Sequence, residues 1–188
     1  MLAAQKITEL ISQNKLIVKG DYDFMVGSAS LDVRLGNYIN TYKMNEYTIG
    51  DHIDNSQFEQ KEFSTHILNP NESVIVSIDE KFHLPNHVAG LMIPRGSIIK
   101  LGISFPVNFI NAGYKGTMSI LLTNHSQMKI KLIPGVNIAQ VIFFDLNEES
   151  HNPYSLNNKY YDEHSDKSKL EEDNNIEEIF KKAFPSLV

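Results

Sequence analysis

Three short stretches of this chain hold residue types that could bind and process an anionic ligand. Pro94-Arg95-Gly96-Ser97 offers a guanidinium fork, a residue without a side chain where backbone can approach a ligand, and a hydroxyl. Those are the parts of an anion cradle, and the planar bidentate fork of Arg suits phosphate. A turn carrying a surface Arg has the same sequence, so the tetrapeptide alone does not decide. Asn111-Ala112-Gly113-Tyr114-Lys115-Gly116 reads as the tip of a β-hairpin whose amide and aromatic ring can hold a base or sugar. Asn-Ala-Gly is equally an ordinary turn, with Tyr114 as a plug. Pro134-Gly135-Val136-Asn137-Ile138-Ala139-Gln140 is a turn feeding an apolar strand, in which Gln140 either satisfies buried backbone or faces a ligand.

The elements that must position these residues are mostly short strands. Leu31 to Leu35, Ser73 to Ile78, His87 to Ile93, Met118 to Thr123, Lys129 to Ile133 and Ile138 to Phe144 are apolar runs cut by Gly, Asn and Pro, which predicts an all-β barrel or sandwich. Lys129-Ile130-Lys131-Leu132 alternates, so at least one strand has a wet face. Ahead of them, Leu2, Ala3, Ile7, Leu10 and Ile11 fall near helical spacing over residues 2 to 13. Three units follow: a β domain with its N-terminal helix over 1 to 146, a polar tail over 147 to 175, and an amphipathic helix over 176 to 188. Ile176, Ile179, Phe180, Ala183 and Phe184 form the stripe of that last helix, packed on its own barrel or on a partner.

Composition narrows the chemistry. With 188 residues and 41% hydrophobic content the chain can bury one substantial core. Cys is absent, which removes disulfides, thiolate nucleophiles and Cys-ligated zinc, and fits a reducing, cytosolic setting. A net charge of -6 argues against a surface for long nucleic acid, which needs many cations to release counterions. No apolar run approaches the ~20 residues of a membrane helix, so no membrane partner is expected. The histidines do not group as metal ligands: His52 lies in a loop-like acidic segment, His83 and His87 bracket Leu84-Pro85, and His125 ends a strand.

In order and spacing these stretches resemble the dCTP deaminase and dUTPase superfamily, more closely its deaminase-like branch. The match begins with Gly27-Ser28-Ala29-Ser30-Leu31-Asp32-Val33-Arg34-Leu35-Gly36, similar to the branch's first motif through Ser30 and Asp32, and reaches Tyr154 and Lys159-Tyr160, similar to its tail motif. The resemblance implies a mainly β, distorted jelly-roll barrel, a homotrimer, and nucleotide sites between subunits with a tail closing over the ligand. It assigns nucleotide contacts to Arg95, Gly96, Ser97, Lys100, Asn111, Tyr114, Gln140, Tyr154 and Lys159. Mg²⁺ is expected to arrive on the phosphates, with no direct protein metal site.

The departures fall on catalysis. Against the deaminases, Gly96 replaces Ser, Lys100 replaces Arg, and Leu121 stands where the general acid/base Glu belongs. Leucine cannot shuttle a proton, a step worth on the order of 10²–10⁴ in rate. Against the diphosphatases, Asn111 replaces the Asp that activates water, and an amide positions water without taking its proton. Phe105 suggests an altered base pocket. In the tail, Tyr161-Asp162-Glu163-His164 replaces the usual Gln and Gly-Pro, and His164 with Asp162, Glu163 and Asp166 reads more simply as a charged tail than as a metal cluster. Three readings remain open: a nucleotide hydrolase whose base is Asp32, Asp162 or Glu163; a non-catalytic nucleotide sensor or sequestering protein; and a protein-interaction module using the last helix.

Overall fold

The computed structural model describes residues 1–17, 26–48 and 57–154. The chain opens with α1 (Ala4–Ser12), where Ile7, Leu10 and Ile11 recur at helical spacing and are buried together. Two backbone bonds dock this helix: Leu2 N–H donates to Phe143 C=O at 2.8 Å and Ala4 N–H to Ser28 C=O at 2.9 Å.

Strands follow as β1 (Leu16–Ile17), β2 (Leu31–Tyr42), β3 (Phe58–Glu62), β4 (His66–Leu68), β5 (Ser73–His83) and β6 (Val88–Pro94). After α2 (Gly96–Lys100) come β7 (Ile103–Ser104), β8 (Asn108–Ile110), β9 (Lys115–Asn124), β10 (Ile130–Leu132) and β11 (Asn137–Asp145). The main sheet runs β7-β9-β5-β2-β11-β6-β8, with β1 on β5 and β3 on β2, while β10 and β4 pair separately. All of its pairings are antiparallel, and the sheet curls into a half-barrel of the expected mainly β type. Leu31, Val33 and Leu35 on β2, Val74, Val76 and Ile78 on β5, and Val141 and Phe143 on β11 alternate into its core. The alternation expected near Lys129 appears on β10, with Lys131 exposed between Ile130 and Leu132.

One expectation needs correction. Asn111 to Gly116 is not the tip of a hairpin, because β8 pairs with β6 and β9 pairs with β5 and β7. A side chain links the two strands, Asn108 Nδ2 donating to Ser119 C=O at 3.1 Å. The segment after Pro94, which the sequence left undecided, is the short helix α2, whose Ile98 and Ile99 N–H groups both donate to Arg95 C=O.

The start of the polar tail is fixed in place. Leu146 N–H donates to His87 C=O, Ser150 N–H to Asn86 C=O, and Tyr154 N–H to Ala112 C=O. Lys159, Tyr160, the acidic run through Asp162, Glu163, His164 and Asp166, the 176 to 188 helix, and His52 lie outside the described residues. No described helix is long and apolar enough to cross a membrane.

Candidate functional site

The structure divides the sequence-predicted residues between the two ends of β6. At the C-terminal end, Asp32 of β2 stands directly opposite Gln140 of β11, which in turn stands opposite Ile93 of β6. Directly paired residues share a face of the sheet, so Asp32 and Gln140 lie side by side on the outward row. Arg95 joins them: its Nη2 lies 3.1 Å from Asp32 Oδ2, with the guanidinium one-third exposed and the carboxylate largely covered. Its backbone is tied on both sides, N–H donating to Ile138 C=O at 3.1 Å and C=O accepting the first bonds of α2. Gln140 therefore stands beside the ion pair and is half-buried, outside the apolar core.

Helix α2 is pinned by buried Ile98 and ends in basic Lys100. Ser97 and Lys100, three apart on one face of the helix, are both exposed. Gly96 is exposed too, and no described atom lies within 4 Å of where its Cβ would stand. Ser30 closes the turn before β2, its C=O accepting from Gly27 N–H at 2.8 Å. This end presents a guanidinium, an ammonium, a hydroxyl and an amide around one carboxylate, a set suited to polyphosphate.

The other end is built differently. Ile110 pairs with Gly90, and the run from Gly90 to Arg95 spans about 17 Å at the usual strand rise, so Asn111 and Arg95 do not meet within one chain. Asn111 is exposed, its C=O accepting from Tyr114 N–H at 3.1 Å. Gly113 has φ +82°, and a Cβ there would lie 2.9 Å from Tyr154 C=O and 3.0 Å from Asn86 Oδ1. The Tyr114 ring is buried against Tyr154, centroids 5.5 Å apart, and its hydroxyl donates to Thr117 C=O at 3.1 Å. The structure thus uses Tyr114 and Tyr154 to clasp the tail to the barrel. The Tyr114 ring is covered in this arrangement.

Leu121 is 44% exposed on β9, opposite Ile75 and between Ser119 and Thr123 on the same outward row. Val107 and Phe109 are more exposed still, at 58% and 57%. Phe105 is buried in the core. A third feature was missed in the sequence. Arg34 Nε donates to Glu80 Oε1 at 2.8 Å, Arg34 N–H to Glu80 Oε2 at 2.9 Å, and Arg34 Nη2 lies 2.8 Å from Asp79 Oδ2. Burial pushes the Glu80 carboxyl above its ordinary range, against the opposing pull of Arg34. The available signal was alternation in Asp32-Val33-Arg34, which puts both charges on one face, but nothing in sequence pairs Arg34 with a residue so far along the chain.

Outside both ends, burial lowers the His83 pKa, helped by Lys115 and Lys81, and His125 Nε2 lies 2.9 Å from Ser104 Oγ. No group of three or more His, Cys, Asp or Glu able to hold a metal ion occurs among the described residues. Asp32 is the carboxylate at the Arg95 end and is already engaged by that guanidinium.

Comparison with known proteins gives a family and a fold. A family described as dCTP deaminase-like matches residues 1–146. A dUMP-forming dCTP deaminase of Bifidobacterium adolescentis is 34% identical over 137 residues, covering 69% of this chain and 71% of that protein. Another from Corynebacterium efficiens is 28% identical over 173 residues, covering 85% of this chain and 88% of the relative. Among solved structures, the 2'-deoxycytidine 5'-triphosphate deaminase of Agrobacterium tumefaciens superposes with a TM-score of 0.59 at 24% identity, over 76% of this chain. This chain spans 46% of that structure's length, and the likeness concerns the fold.

Proposed function

The chain belongs to the dCTP deaminase-like family, and on that premise we propose that it binds a deoxynucleoside triphosphate, with a pyrimidine the favoured base, without deaminating it. The observation that carries this reading is the Asp32–Arg95 pair beside Gln140, with Ser97 and Lys100 exposed on the adjoining helix. Arg95 is oriented by its carboxylate partner and still one-third exposed, so a phosphate can add to the fork without breaking it. Mg²⁺ would come with the triphosphate, and a cytosolic protein meets both.

Deamination needs a group that gives and takes a proton at the attacked carbon. Leu121 supplies none, and its exposure leaves an apolar surface where such a group would be required. Hydrolysis to monophosphate and pyrophosphate is the second reading, favoured by one observation: Asp32 sits at the phosphate end and is the described carboxylate best placed to act on water there. Its Oδ2 is already held by Arg95 Nη2 at 3.1 Å, which leaves it less free to engage a water, so binding without turnover is the reading preferred here.

The separation of the two ends along β6 supports sites completed between subunits, with the Arg95 end of one copy facing the Asn111 end of another. A homotrimer satisfies this with every site alike. The test is to incubate the protein with Mg²⁺ and each deoxynucleoside triphosphate, separating products by chromatography and measuring affinity by calorimetry. Saturable binding with no product is the expected result. Monophosphate and pyrophosphate would establish the hydrolase, and dUTP from dCTP would overturn the reading of Leu121.

A further inference from the structure

Arg34 stands two residues beyond Asp32 on the same outward row of β2, and a strand puts such neighbours within reach of one carboxylate. Yet it is Arg95 that holds Asp32. What keeps Arg34 away is on β5. Glu80, only 1% exposed, accepts both the Nε and the backbone N–H of Arg34, while Asp79 takes Nη2. The pairing is enforced from both sides, because a buried carboxylate deprived of its partner is costly. It falls where the ladders are irregular: β5 shifts register against β9 between Ser77 and Lys81, and β2 against β5 between Leu35 and Ile39. The Glu80 carboxylate thus takes up a β2 N–H beside a break in regular pairing.

We propose that Glu80 is a positioning residue for the phosphate end: by holding Arg34 it leaves Asp32 to orient Arg95 toward the ligand. This deepens the nucleotide-binding reading and rests on it for the ligand, but the claim about Arg95 stands on geometry alone. Without Glu80, Arg34 gains the freedom to take the Asp32 carboxylate, and Arg95 loses its orienting partner. Removing Arg34 as well removes the competitor and returns Asp32 to Arg95.

The experiment compares the parent, E80A, R34L and the E80A/R34L double variant. Affinities for inorganic tripolyphosphate and for dUTP are measured by calorimetry on the folded fraction, and the ¹⁵N side-chain resonance of Arg95 is followed without ligand. E80A should weaken both ligands roughly tenfold, the scale on which loss of an outer supporting contact is felt, and should move the Arg95 resonance. The double variant should return both toward the parent. A purely structural Glu80 would leave the double variant as weak as E80A, and that result, or an unmoved Arg95 resonance in E80A, overturns the proposal. If the parent binds neither ligand the nucleotide reading fails, while the resonance still decides the positioning claim. If E80A does not fold, E80Q, which keeps an acceptor but no charge, serves in its place, and an unmoved Arg95 resonance there overturns the proposal equally.

Discussion

The two ends of β6 make an instructive contrast. At one, charged and polar groups are held by regular pairing and backbone bonds: Asp32 against Gln140, Arg95 tied to Ile138 C=O, and α2 anchored by Ile98. At the other, the exposed polar position is the Asn111 amide, while the rings of Tyr114 and Tyr154 clasp the tail; the apolar Leu121 lies exposed elsewhere, on β9. Binding and chemistry place different demands on a fold. A phosphate needs fixed donors, which neighbouring strands and a short helix supply. Proton transfer needs one titratable group in one place, and a single substitution removes it.

The largest expected effect falls at the first end. R95A should weaken nucleotide binding by roughly a hundredfold, since it removes the bidentate donor and leaves Asp32 facing the phosphates. Calorimetry with dUTP measures it, and a change of less than about threefold would mean that the affinity lies elsewhere. On β9, L121E places a titratable group at an exposed position, so its stability should stay within about 0.5 kcal/mol of the parent. Chromatography should then show conversion of dCTP to dUTP rising by about 10² or more over the parent. No gain would spread the defect to Lys100 and Asn111, and the contrast between the ends would be less simple than a missing acid/base.

Two glycines sharpen the comparison sterically. Gly113 has positive φ and is crowded by Tyr154, Asn86 and Pro153, so G113A should cost about 1–3 kcal/mol in urea unfolding. Gly96 is open, and G96S should be neutral in stability while adding a hydroxyl to the phosphate end, tightening dUTP binding a few-fold.

The smallest effect concerns pH. The folded state raises the Glu80 pKa above its ordinary 4.5, so it takes up that proton more readily than the unfolded chain does. The group therefore favours folding below the unfolded pKa, and this contribution is lost as pH rises through the folded value. E80Q cannot ionise, so its stability should fall less than the parent's across the window just above 4.5. Denaturant midpoints at a series of pH values would show the two curves diverging there.

Much of this was legible in the sequence, for reasons that differ by residue. The N-terminal helix and the long strands declared themselves because their apolar periodicity is what buries them. Short strands such as β7 and β8 were missed, since two or three residues hold no period, and β8 pairing with β6 depends on sheet topology that local pattern does not encode. Arg95, Asp32 and Gln140 were picked out singly, and only the register of β2, β11 and β6 shows them as neighbours. The inward packing of Tyr114 and Phe105 was not legible, because an aromatic residue beside a turn looks the same whether it packs inward or faces a ligand. Glu80 was invisible because its partner arrives from another strand.

The most direct test of the account is a calorimetric titration of dUTP with Mg²⁺ into the parent and R95A, repeated in the presence of inorganic tripolyphosphate. Competition by tripolyphosphate in the parent and loss of dUTP binding in R95A are the predicted results. Binding that ignores tripolyphosphate and survives R95A would contradict the claim that this protein holds its ligand by the phosphates.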